Sequence, residues 1–416
     1  MDRPSPARPT APPSARPPVR PTARPATRRV VLRAGAAFAA AALATSCSSS
    51  GGQGGDGSGG GDQAAGRDAP PPSSSPPASG SPSADPGRIT VAVGGDVHFE
   101  GELAQRLAAD PETALGPSIA DTLSAADVAV VNLETAVTEG GTRAPGKEYA
   151  FRAPATAFTA LASAGVDVAS LANNHGMDFG AEGLADTLAE AEAAGFPLVG
   201  AGHNAAEAYA PHLVETGAGT VAVIGASDVL DEHLIAEWTA TDTRPGLASA
   251  KYEQRARLVD AVAAAAKEAD VVVVYLHWGL EGEHCPLPHA PELARALVEA
   301  GADAVVGGHA HVLSPGGYTG GAYVHYGLGN FAFYNYADAT AETGVLTLEF
   351  EDGRAVGDTW TPARIEGGVP VPYEGAEAKD ALAAWEGLRA ECGGLDLAPA
   401  PEGGATEGTD DAVEAG

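Results

Sequence analysis

Residues 271–281 read Val271-Val272-Val273-Val274-Tyr275-Leu276-His277-Trp278-Gly279-Leu280-Glu281. The run from Val271 to His277 is β-branched and apolar almost throughout, as a strand buried on both faces requires, and it ends on polar residues. Working outward, five further short runs repeat the pattern: Arg88 to Gly94, Val128 to Leu133, Val166 to Ala172, Thr220 to Gly225 and Ala304 to Gly307. Between them lie Ala/Leu/Glu-rich segments with helical spacing, Ala181 to Ala194, Gln254 to Glu268 and Pro291 to Ala300, the first and last closing on Gly195 and Gly301. Such an alternation predicts an α/β protein. From about Tyr323 the runs become strand-like without long helices, which predicts antiparallel strands completing a second sheet.

The ends of the chain differ from this middle. The 416 residues carry a formal charge of −31, but residues 1–47 hold eight arginines and one acid, leaving 16 basic and 54 acidic residues elsewhere. A phosphate-neutralising nucleic-acid surface is excluded by that balance. Arg28-Arg29 followed by an apolar run matches a twin-arginine export signal, and the Ala-rich stretch from Ala34 to Ser46 is too short to span a bilayer. Ala44-Thr45-Ser46-Cys47 resembles a lipobox, which would make Cys47 the site of lipidation and a membrane anchor; ordinary cleavage with release fits the same junction. Residues 48–87, with 10 Ser, 11 Gly and 7 Pro, have almost nothing to bury and read as a disordered tether. Residues 88–397 form the expected folded domain, and residues 398–416 an acidic disordered tail. Cys285 and Cys392 leave room for one bridge, far short of a disulfide scaffold.

Ligands in open α/β sheets gather at the carboxyl ends of strands. Here those ends supply Asp96 and His98, Asn132 and Glu134, Asn173-Asn174-His175 with Asp178, His277 and Glu281, and His309 and His311. An Asp after a strand is commonly a turn or cap residue, and an Asn-His pair can simply build a turn. Five successive strand ends of this composition, however, make a metal-site inventory. Imidazoles with carboxylates and no thiolate cluster favour one or two borderline divalent ions, Mn, Fe, Zn or Co, over a calcium or magnesium cage. His309 and His311, two apart on an extended segment, are expected to point the same way. His203, His212, His233, His284, His289 and His325 lack such company and read as surface or structural residues.

In order, GGDVHFEG, VVNLETAV, SLANNHGMDFG, YLHWGLE, VVGGHAHV and HYGLGNF resemble the bacterial CapA family, the poly-γ-glutamate capsule-biosynthesis proteins, a branch of the calcineurin-like metallophosphoesterase superfamily. The resemblance spans about residues 88–340. It implies an αββα sandwich of two mixed sheets flanked by helices. It further implies Asp96 and His98 on a first metal with His311, Glu134 as the bridging carboxylate, and Asn174, His277 and His309 on a second metal. His175 would be the proton donor to the leaving oxygen, and Arg152 in YAFRAP would contact an anionic group. Two departures stand out: the second motif ends on Glu134 where the superfamily has Asp, and no Glu follows His175.

Three functions compete. The first is an exported metal-dependent hydrolase acting on a phosphoester or an envelope polymer; the second a non-catalytic capsule or wall assembly protein that meets an anionic polymer and capsule-synthesis membrane proteins. The third, a substrate-binding lipoprotein, leaves the His/Asp/Glu strand ends unexplained. The acidity of the mature chain opposes a broad polyanion-binding face, so polymer contact would be local.

Overall fold

A computed structural model describes residues 87–399. Residues 1–86, where the export signal, Cys47 lipidation and tether were expected, and residues 400–416 of the expected tail lie outside the described residues. Two mixed sheets dominate. In the first, the strand Arg88–Val97 runs parallel to Val128–Leu133, which is followed by Val168–Ser170 and Leu198–Val199, also parallel. In the second, Thr220–Ser227, Val271–Trp278 and Ala304–His309 are parallel neighbours, with His212–Glu215 antiparallel at one edge.

The C-terminal strands divide between the sheets, which corrects the expectation that they complete the second alone. Ala322–His325 pairs parallel with Ala304–His309 and antiparallel with Gly316–Thr319 in the second sheet. Glu342–Glu351, Arg354–Glu366 and Val369–Pro372 extend the first sheet as an antiparallel meander beside Arg88–Val97. The first strand would otherwise be an open edge, and the meander covers it.

The period-two alternation of each strand sorts its side chains into layers. Val91, Val93, Val128, Val130, Val221, Val223, Val271 and Val273 face inward between the sheets. Their neighbours Ala92, Ala129 and Val131 face outward onto Leu103, Ile119, Phe158 and Leu184 from the helices Glu102–Ala109, Pro117–Leu123, Thr156–Ser163 and Gly180–Ala194. On the other side, Ile224, Val272 and Val274 meet Leu258, Val262, Leu293 and Leu297 from Gln254–Ala265 and Ala290–Glu299. The result is the helix–sheet–sheet–helix sandwich that the resemblance implied.

At the amino ends of the parallel strands, four aspartates close the ladders. Asp127, Asp167, Asp270 and Asp303 each accept, through Oδ2 at 2.8 Å, the amide of Thr90, Ala129, Thr220 and Val272 in the neighbouring strand. Each returns its own amide to the carbonyl of that same residue. Burial pushes the Asp303 carboxyl up to about 7. A folded-state value above the unfolded one means that the native state retains a proton that the unfolded chain releases; stability is full below about pH 4 and falls as pH rises toward 7. Asp303→Asn keeps an acceptor for Val272 without a charge to desolvate. It is expected to match wild type at pH 4 and to exceed it by on the order of 2 kcal/mol at pH 8, allowing for solvent screening, in urea denaturation at the two pH values.

The helix Gly375–Cys392 docks through Trp385, stacked on Trp360 with ring centroids 5.3 Å apart and beside the buried His325. Burial, then the Arg389 charge, pushes His325 down to about 3, so it is a neutral core imidazole. Arg389 pairs with Asp358. Cys392 at the helix end is bonded to Cys285, with Cα atoms 5.3 Å apart, in the loop after Val271–Trp278.

Candidate metal centre

The carboxyl ends of both sheets converge on one buried cluster. Asp96 ends the first strand with Oδ1 accepting from Asn132 Nδ2 at 2.8 Å and Oδ2 accepting from the His309 amide at 2.9 Å. One set of donor atoms within 4.8 Å of one another comes from Asp96, Glu134 and His311, and a second from Glu134, His277 and His309. Glu134 is thus common to both. A third set joins the exposed Glu281 to His309 and His311. Asn174 Oδ1 stands 2.7 Å from His277 Nε2, which is 3.4 Å from Glu134 Oε1.

His309 and His311 share the Glu281 set but otherwise reach different ones, because the chain does not stay extended. Their φ values are 95° and 56°, a left-handed kink that costs non-glycine residues on the order of 1–3 kcal/mol each. The kink leaves His309 facing the second sheet's His277 and turns His311 toward Asp96, with Nδ1 at 3.5 Å from Asp96 Oδ2.

The cluster fits a bound cation. Asp96 and Glu134 are fully buried, and neither oxygen of Glu134 has a hydrogen-bond partner among the described residues. Burying an anion without compensation is costly, so this arrangement calls for positive charge. Burial and then Glu134 push Asp96 up; burial would do the same to Glu134, but His277 and His311 outweigh it and hold Glu134 below the usual carboxylate range. Burial, with the neighbouring imidazoles and Lys147, drives His309 well down, which keeps a lone pair available. His311 is desolvated too, yet Glu134, Asp96 and Glu281 hold it above its ordinary value. Imidazole and carboxylate donors of this kind suit a borderline divalent ion.

The other expected residues fall as follows. His98 is buried beneath Phe333 and Phe151 and lies outside the three donor sets. Its Nε2 accepts the Tyr334 amide at 3.0 Å, and its buried Nδ1 has no hydrogen-bond partner among the described residues. His175 Nδ1 is 2.6 Å from Asp178 Oδ2, and its ring lies 4.3 Å from Phe151. Arg152 does not line the cavity described below: its guanidinium lies 3.5 Å from the Phe179 ring centroid.

Two supporting residues, Asn330 and Lys147, escaped the sequence reading, and Asp178 stood in its inventory of strand ends without a role. Asn330 Oδ1 is 2.8 Å from His311 Nδ1 and fixes that ring. Asp178 orients His175, and Lys147 is a buried ammonium bonded to the Asn174 carbonyl and paired with Asp178 and Asp231 at 3.3 and 3.1 Å. Asn330 and Asp178 stood inside the quoted motifs, whereas Lys147 sits in a loop with no local signal.

Close packing sets a further limit. A Cβ on Gly308 would lie 2.0 Å from Asp96 Oδ1. Gly308→Ala therefore has to expel the Asp96 carboxylate from its bonds with Asn132 and His309. We expect loss of metal uptake in elemental analysis and a destabilisation of at least about 2 kcal/mol in chemical denaturation.

An open cavity of about 380 Å³ adjoins the cluster, with His175, His311 and Glu281 on its wall.

Comparison with known proteins bears on this cluster. The PGA biosynthesis protein CapA of Bacillus subtilis (strain 168) is 31% identical over 62% of this chain and 66% of its own length. The capsule biosynthesis protein CapA of Bacillus anthracis is 34% identical over 53% of each chain. This chain thus spans between about half and two thirds of those relatives. A solved phosphatase from Mycoplasma pneumoniae overlies 70% of this chain and 96% of its own at a TM-score of 0.40 and 13% identity. The model of the bacterial capsule synthesis protein PGA_cap matches residues 90–335, a segment that opens in the first strand and contains every donor of the cluster; the chain belongs to that family.

Proposed function

We propose that this protein is an exported, lipid-anchored, metal-dependent hydrolase that acts on a phosphoester in the synthesis of an envelope polymer of the poly-γ-glutamate type. The observation that carries this reading is the shared carboxylate: Glu134 belongs to two three-residue donor sets at once, which is how a pair of ions would be bridged. Asp96, Glu134 and His311 would hold one ion, and Glu134, His277 and His309 the other, with Asn174 beside His277. When bound, such ions supply Lewis-acid polarisation of an ester oxygen.

The remaining chemistry belongs to the chain. Asp178 fixes the His175 ring through Nδ1, leaving Nε2 to deliver a proton to the leaving oxygen. Lys147 holds Asp178 and the Asn174 carbonyl in place. The cavity beside His175 and His311 admits the ester.

The test is elemental analysis of the purified protein together with hydrolysis of p-nitrophenyl phosphate and bis(p-nitrophenyl) phosphate. Uptake of one or two transition-metal ions with turnover supports the reading; no uptake overturns it. Uptake without turnover favours the second reading, a non-catalytic assembly protein, for which the Glu134 position and the missing carboxylate after His175 are the motivating departures. Loss of surface anionic polymer on gene deletion would support the envelope role, and no change would exclude it. Cys47→Ala should move the protein from the membrane fraction to the medium.

A further inference from the structure

The cavity beside the cluster has an unusual wall for a protein linked to a polyanion. Tyr149, Phe151, Phe333 and Tyr334 line it with Asn335 and Thr340, and among the described residues no Lys or Arg does. Its one carboxylate, Glu281, stands among the His309 and His311 donors and so belongs to the cluster. Phe151 backs His175 at 4.3 Å and Phe333 backs His311 at 4.9 Å, so the aromatic surface begins at the reacting end. Tyr149 and Tyr334 continue it to the rim, where they are 57% and 36% exposed. A second cavity of about 340 Å³ shares Tyr149, Phe151 and Tyr334 with the first and prolongs the groove. Its charged residues are Glu100, Glu148 and Arg143, and Arg143 is bonded to the carbonyls of Lys147 and Glu148.

Recognition by such a surface follows simple rules. A run of carboxylates entering this groove would meet Glu100, Glu148 and an Arg143 guanidinium already engaged by backbone carbonyls, and among the described residues no Lys or Arg lines the cavity beside the cluster. An uncharged ring would meet faces on which it can stack, gaining the attraction available to aromatic and CH-rich surfaces while leaving no buried charge unpaired. Exposed tyrosines at a cavity mouth serve this purpose with little conformational entropy to lose.

We infer that the substrate at this site carries a single anionic phosphorus group, seated at the cluster, joined to an uncharged ring that stacks between Tyr149 and Tyr334, and that it is not a stretch of polyglutamate. The inference rests on the metal-centre reading above. Two sources of such a ring, an aromatic group and a sugar, share this chemistry.

The experiment measures binding to the metal-loaded protein, calorimetrically, so that turnover is not needed. The probes are methylphosphonate, phenylphosphonate, a hexose C-phosphonate and a phosphonate-capped tri-γ-glutamate. At least one ring-bearing probe should bind about 10-fold or more tightly than methylphosphonate, and the better of the two names the source. Tyr149→Ala and Tyr334→Ala should reduce that advantage to less than about 3-fold without altering methylphosphonate binding, and the Tyr→Phe variants should restore it. Equal affinity for methylphosphonate and both ring probes, or tightest binding of the glutamyl probe, overturns the inference and leaves the metal centre standing. No binding of any phosphonate to a protein that holds its metal overturns both.

Discussion

Replacing His309 and His311 together with alanine is expected to lower divalent-metal affinity by at least about 100-fold, so that the protein emerges from gel filtration essentially metal-free. The estimate is conservative, because loss of a residue that merely supports a metal ligand already costs about 10–100-fold. The expectation comes from the way the two imidazoles divide. His309 stands with Glu134 and His277, His311 with Asp96 and Glu134, and both with Glu281, so each single substitution leaves one of the three sets whole and the pair leaves none. Elemental analysis of the two single variants and the double variant should therefore give a graded series. If the double variant retains full metal content, the ions are elsewhere. A second consequence follows for the metal-free state: Glu134 and Asp96 lose the neighbouring His311 charge, and with burial unchanged their carboxyls rise together.

Breaking the Cys285–Cys392 bond is expected to cost about 2–4 kcal/mol of stability, since it closes a sequence separation of 107 residues and so restricts the unfolded chain. For a domain of this size that corresponds to a fall in Tm of roughly 3–6 °C, measurable by calorimetry on the Cys285→Ser, Cys392→Ser variant. The docked helix has independent anchors in Trp385 and in the Arg389–Asp358 pair, so it should stay folded at room temperature. Metal content should remain near that of wild type: the loop between Glu281 and Cys285 is also held by the Gly282 amide on Ala310 and by His284 on Leu313. A variant that keeps its melting temperature would show that the bridge contributes no more than the contacts around it.

The sequence made the sandwich and the cluster legible for one physical reason. A strand buried on both faces tolerates no polar residue until it ends, so Asp96, Glu134, His277 and His309 stand out against runs such as VAVVNL and VVVVYLH. The divergence of His309 and His311 was not legible, because it depends on two positive φ values that residue spacing does not encode. Nor was the helix Gly375–Cys392, in which Trp385 is the one fully buried residue and the apolar periodicity is correspondingly faint. Lys147 and the bonded cysteine pair are long-range: their partners lie 27 or more residues away, beyond any local pattern. The fate of the C-terminal strands depended on which sheet had an exposed edge, a property of the assembled fold.

The ladder-closing aspartates give the strand direction a meaning for mutational tolerance. Asp127, Asp167, Asp270 and Asp303 enter at the amino ends of strands, whereas the cluster forms at the carboxyl ends of the same sheets, so the acids that staple the scaffold and the acids that gather the ions are at opposite ends of the strands. Substitutions can therefore reshape the donor end without unfastening the ladders at the other. A scaffold so divided can change its ions and its ligand while inheriting its stability intact, which is the latitude a lineage needs if one sandwich is to serve several chemistries.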